Sequence, residues 1–152
     1  MTLRQDFTPT KFNDWDNAWV RGAGDLILIN GPKATYFDWK KGKPNQNDDQ
    51  IELTSLLLFR HFPAVQQVAG GLVFYNHGKV HPHIVHRADE SRLWNSFIAR
   101  VKVIEEAKLN DEWPTNPNPL CGWCAYTACP FNKVAERKAV EATGVKWKWK
   151  PV

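Results

Sequence analysis

Apolar residues along the chain gather in short runs bounded by turn formers, and their spacing predicts the elements. Leu26-Ile-Leu-Ile29 follows Asp25 and stops at Asn30-Gly-Pro32, after which Ala34-Thr-Tyr-Phe-Asp-Trp39 forms a second run. Two β-rich runs joined by Gly-Pro read as a hairpin. The unbroken apolar stretch from Leu26 to Ile29 suggests a strand covered on both faces, hence central in its sheet. A polar loop from Lys40 to Asn47 follows, with Gly42 and Pro44. Asn47 with Gln50 three residues later resembles a capping box, opening a helix over Ile51 to Phe59 that stops before Pro63.

Two more strands are predicted, about Ala64 to Tyr75 and Lys79 to Arg87, around the turn Asn76-His-Gly78. Leu93, Trp94, Phe97, Ile98, Val101 and Ile104 recur at helical spacing and predict a long helix from about Ser91 to Leu109. Trp113 to Pro119 is a proline-rich loop, and Phe131 to Ala142 reads as a short final helix. Before Arg21 the signal is weak: turn formers surround Trp15 and Trp19, and Asn13 or Asp14 could cap a shortened helix. Strand pairs alternating with helices and no internal repeat give one α/β domain, a central mixed β-sheet flanked by helices. Its parts would be an N-terminal segment (1–20), a core ending in a cysteine patch (21–132) and a basic Trp/Lys tail (133–152).

Composition adds limits. The 152 residues suit one domain, and 43% apolar with 24% charged residues is the make-up of a folded chain. No stretch has the roughly 20 apolar residues of a membrane span, and no signal peptide is visible, so the expectation is a cytoplasmic protein. The net charge of +4 is unevenly distributed: residues 131–152 hold six Lys/Arg against two Asp/Glu, while the remainder balances at 14 each. A polyanion would gain affinity there by counterion release, although a solvated basic tail is an equally good reading of charge alone.

Asp25 begins the first strand of the hairpin and Asp38 ends the second. In an antiparallel pair those positions face each other at about 5 Å between Cα atoms. Two carboxylates so arranged can converge on Mg²⁺ or Mn²⁺, hard cations that take oxygen ligands. The backbone carbonyl of Trp39 is placed to be another ligand. Lys40 lies two residues beyond Asp38 and so on the same strand face, where an ammonium can orient an attacking water or stabilise a pentavalent phosphorus.

Gly22-Ala-Gly-Asp25 and Asp38-Trp-Lys40, with Gly42-Lys43 after it, resemble the G-x-x-D and D-x-K motifs of RecB-like nucleases in the PD-(D/E)XK superfamily. The resemblance covers about residues 20 to 132. It implies a restriction-endonuclease-like fold, metal-dependent hydrolysis of DNA, and a role for Gln50, the helix-leading glutamine, on water or substrate. Lys41 and Lys43, with Lys146, Lys148 and Lys150 of the tail, become candidate DNA contacts. Exonuclease action is the first implication, with a structure-selective endonuclease or a catalytically lapsed DNA-binding module as alternatives. Compact members are often phage-borne, which would put the protein in the host cytoplasm.

Two departures from the family pattern stand out. Thr54 occupies the position of the tyrosine that usually follows the glutamine by four residues, and no His or Glu precedes the G-x-x-D motif, leaving Asp16 or Asp14 as the nearest acids. The short N-terminus implies either fewer ligands or a second subunit completing the site, so a homo-oligomer is a candidate state.

Cys121, Cys124 and Cys129 have spacing C-x2-C-x4-C and are the only cysteines. They read as reduced thiols packed as small hydrophobes, as ligands of an iron–sulfur cluster, or as zinc ligands with a histidine. In the resembled family a similar trio joins an upstream cysteine around [4Fe-4S]; here the fourth ligand would be another residue type or a partner's. Each reading is structural rather than catalytic. His81 and His83 share a strand face and suit a place near substrate phosphate or, as a pair, zinc. Lys146-Trp-Lys-Trp-Lys150 would line up tryptophans for base stacking, or bury Trp147 and Trp149 in a core.

Overall fold

The computed structural model describes residues 1–150. The predicted hairpin is formed by β4 (Leu26–Asn30) and β5 (Lys33–Lys40), paired antiparallel from Asn30↔Lys33 out to Leu26↔Phe37. Gly31, at φ +57, supplies the left-handed residue that its two-residue turn requires. β5 pairs in parallel with β6 (Gln67–Phe74), and β6 antiparallel with β7 (Lys79–His86), giving a mixed sheet of order β4-β5-β6-β7.

The crossover between the parallel strands is α1 (Asp49–His61), which lies against one face of the sheet. Its Ile51 and Thr54 to Phe59 are all buried, because it packs on the sheet on one side and on N-terminal elements on the other. A Cβ on Gly70 of β6 would stand 2.1 Å from Cγ2 of Ile51, so glycine lets the helix settle onto the strand. Arg87 fastens the far end of α1, donating from Nε to the Val65 carbonyl at 2.6 Å and from Nη2 to the carbonyls of Phe59 and Phe62 at 3.0 and 3.1 Å. A cation there meets the negative end of the helix dipole.

Two expectations are corrected. β4 is an edge strand, not a central one: it pairs only with β5, and Leu28 is 55% exposed. Only Ile27 of its apolar run packs on the core; Ile29 on the same face and Leu26 and Leu28 on the other are exposed. Residues 1–20 form no helix. Thr2–Leu3 (β1) pairs with Pro9–Thr10 (β2) and Val20–Arg21 (β3) in a small antiparallel sheet. The polar side chains there bond locally, Asp14 accepting from the Thr10 hydroxyl and from the Asn17 amide at 2.8 Å, which competes with helix formation.

α2 (Glu90–Asn110) begins against the same core, with Leu93 and Trp94 buried and Trp94 in an aromatic cluster with Phe7 and Trp19. The chain divides into two compact units, 1–102 and 103–152. The boundary falls before the cysteine segment, which therefore groups with the tail rather than with the core. In the second unit a 3-10 turn, Pro119–Gly122, and α3 (Val134–Ala142) are joined by Arg137, whose Nε donates to the Gly122 carbonyl at 2.6 Å. Among the described residues no helix is long and apolar enough to cross a membrane.

Candidate active site

The C-terminal end of β5 and the first turn of α1 meet around Asp38. Alternation along β5 sends Ala34, Tyr36, Asp38 and Lys40 to the α1 side. Asp38 is nearly buried, and each of its oxygens has a donor: the Lys40 ammonium sits 2.5 Å from Oδ1 and the Gln50 amide donates to Oδ2 at 2.8 Å. The same Gln50 nitrogen donates to the Tyr36 hydroxyl at 3.1 Å.

Asp25 lies one step beyond the last paired residues, Leu26↔Phe37, so the register carries it opposite Asp38. Its Oδ2 accepts the Trp39 backbone N–H at 2.8 Å. In an extended strand the N–H and C=O of one residue point the same way, so the Trp39 carbonyl faces the Asp25 side too. Gly24 makes this approach feasible, since a Cβ there would stand 2.7 Å from the Tyr36 ring. Two carboxylates and a carbonyl on adjoining strands form an oxygen donor set of the kind a hard divalent cation takes. The Lys40 contact marks Asp38 as an acceptor of positive charge.

The capping box is not formed. Asn47 Oδ1 accepts from the Asp49 N–H at 2.8 Å, while the Gln50 side chain turns to Asp38 instead of back to the helix start. The charged hydrogen bond is the stronger one. Lys41 and Lys43 are exposed in the loop after β5, and a cleft of about 190 Å³ beside Lys40 and Gln50 is lined further by Asn45, Asn47 and Phe74.

Tyr36 was not singled out by sequence. Its hydroxyl contacts Gln50 and Thr54, and burial, with the Asp38 charge adding to it, pushes its pKa up to about 12. The phenol therefore stays protonated. It reaches Gln50 from the strand, whereas the resembled motif carries its tyrosine on the helix, where this chain has Thr54. The signal was the alternation of β5, which puts Tyr36 on the face of Asp38.

Other candidates lie elsewhere. His81 Nε2 is 2.6 Å from Asp48 Oδ1, and His83 lies 3.7 Å from Asp48 and 3.6 Å from Glu52, so these histidines face carboxylates of α1 and its cap. Asp14 is engaged with Thr10, Asn17 and Arg4 in the N-terminal loop, and Asp16 lines a separate surface cleft with Arg4 and Trp19. Cys121 and Cys129 are partly buried and Cys124 is exposed, with Cys121 Sγ accepting from the Asn118 N–H at 3.5 Å. Among the described residues no three His, Cys, Asp or Glu side chains gather as a metal site. Trp147 is buried against Trp123, edge to face at 5.4 Å, and is thereby withdrawn from base stacking, while Lys146, Lys148 and Lys150 are exposed.

A family model described as the PD-(D/E)XK nuclease superfamily matches residues 2–130. The chain belongs to the PD-(D/E)XK nuclease superfamily, and its mixed sheet with the α1 crossover is the restriction-endonuclease-like core of that class. A comparison with curated proteins gives no match.

Proposed function

We propose that the protein is a metal-dependent deoxyribonuclease, exonucleolytic in action, that hydrolyses phosphodiester bonds at the end of β5. The observation that carries this reading is the convergence on Asp38 of Lys40 and Gln50, with Asp25 tied to the next residue along. Asp25, Asp38 and the Trp39 carbonyl would hold Mg²⁺ or Mn²⁺. When bound, such an ion polarises the phosphate and lowers the pKa of water.

The chain's own groups do the rest. Lys40 presents an ammonium to the charge that grows on the phosphate oxygens. Gln50 holds Asp38 in place through its amide nitrogen and offers its amide oxygen to substrate or water, and Tyr36 fixes Gln50 from behind. Water adds to phosphorus, the bond from phosphorus to one sugar oxygen breaks, and the departing oxygen takes up a proton. Lys41 and Lys43 would contact flanking phosphates, with Lys146, Lys148 and Lys150 adding salt-dependent affinity.

A second reading, a DNA-binding module with lapsed catalysis, is favoured by one observation: among the described residues no three His, Cys, Asp or Glu side chains gather as a metal site. Incubating the protein with linear, circular, single-stranded and duplex DNA in Mn²⁺, then with chelator, separates the readings. The proposal expects linear substrates to be lost, circles to survive and chelator to protect everything. Cut circles would make the enzyme an endonuclease, and intact DNA in every lane would leave the binding module.

A further inference from the structure

The main sheet has two faces, and only one is covered within residues 1–102. Opposite α1, β5 presents Thr35, Phe37 and Trp39, and the register adds Leu26 and Leu28 from β4, Val73 from β6, and Val80 and Ile84 from β7. Leu28 is 55% exposed, Val80 54%, Ile84 53%, Trp39 46% and Leu26 37%. A sheet face of this composition normally lies against another layer. Gly71 brings no side chain to this face, where a Cβ would stand 3.0 Å from the Phe37 ring and 3.4 Å from Val80.

We infer that this face is a dimer interface, stacked on the same face of a second copy about a two-fold axis. The face has no acidic residue, and its cation, Lys33, sits at one end in line with Gln67 and His86. It thus has little to attract DNA, whose binding rests on cations, and little charge to pair with a charged partner. An apolar, nearly uncharged sheet face can stack on the same face of a second copy, since face-to-face sheets pack at about 10 Å with interdigitating side chains.

The exposed parts of these residues amount to on the order of 600 Å² per chain, at the upper end of the largest apolar patch an ordinary monomer carries. Two such faces remove about 1,200 Å², the lower bound of stable interfaces and consistent with micromolar dissociation. Asp38 and Lys40 point to the other side of the sheet, so both sites stay open in the dimer. The inference rests on the sheet, not on the nuclease reading, and either can fail alone.

Light scattering on the full chain over about 1–100 µM, a range that brackets such an affinity, tests it. The expected mass rises toward twice 17.5 kDa. Ile84→Lys and Leu28→Lys, each entering a symmetric interface twice, should raise the dissociation constant by about 100-fold or more. Circular dichroism should stay native, since both side chains face solvent in the single chain. A wild-type monomer at the highest concentration overturns the inference and leaves the face to another segment or protein. A dimer indifferent to both substitutions overturns it too, because the contact would then lie elsewhere.

Discussion

Gln50→Ala perturbs the site without touching a carboxylate or the lysine. Gln50 donates to Asp38 Oδ2 at 2.8 Å and to the Tyr36 hydroxyl at 3.1 Å. Asp38 is 9% exposed, so water replaces the lost amide only partly, and the carboxylate is free to swing toward Lys40. A hydrogen bond to a charged group contributes roughly 1.5–3 kcal/mol. With that energy holding the Asp38 carboxylate in place, its loss should lower kcat/KM by about 10- to 150-fold. The Mn²⁺ concentration for half-maximal rate should rise with it. Steady-state cleavage of a labelled oligonucleotide across a Mn²⁺ titration gives both quantities, and thermal melting verifies the fold. A folded variant that cleaves within about twofold of wild type, at an unchanged Mn²⁺ midpoint, refutes the role given to Gln50.

Three other outcomes follow from neighbouring contacts. Tyr36→Phe removes only the hydroxyl behind Gln50, and should lower kcat several-fold with KM nearly constant while stability changes by about 1 kcal/mol or less; unchanged kcat would leave the phenol a packing group. Gly70→Ala drives a Cβ into Ile51 and should lower urea-unfolding stability by about 1–3 kcal/mol. His61 Nε2 lies 3.1 Å from the Thr2 nitrogen and 3.0 Å from the Thr2 carbonyl oxygen, and burial chiefly holds its pKa below the usual histidine value. The folded state then binds its proton less readily than the unfolded chain, so stability is full above pH about 6.5 and is lost as pH falls toward the lowered pKa. Melting curves from pH 8 to pH 5, in wild type and His61→Gln, should show a fall that the substitution flattens.

Much of the site was legible because strand geometry is simple. A hairpin with a two-residue turn sets its own register, so Asp25 and Asp38 could be paired from spacing, and period two put Lys40 with Asp38. The edge position of β4 was not legible, since a run such as Leu-Ile-Leu-Ile reads the same whether its second face is covered or bare. Nor were β1, β2 and β3, each two residues long and set by pairing across distant sequence. The capping-box part of the Gln50 reading failed because spacing cannot weigh a helix start against a buried carboxylate on the strand before it, whereas the family resemblance aims Gln50 at the site. His81 and His83 read as free for phosphate because their acidic partners, Asp48 and Glu52, reach them only through the fold.

In the proposed function, metal-dependent hydrolysis depends on the Asp38 carboxylate. Wild type and Asp38→Asn should be compared for cleavage of linear DNA in Mn²⁺ and for binding of the same DNA in chelator. Cleavage should fall by at least about 1,000-fold with binding retained. Cleavage by the folded Asp38→Asn protein at close to the wild-type rate would contradict it.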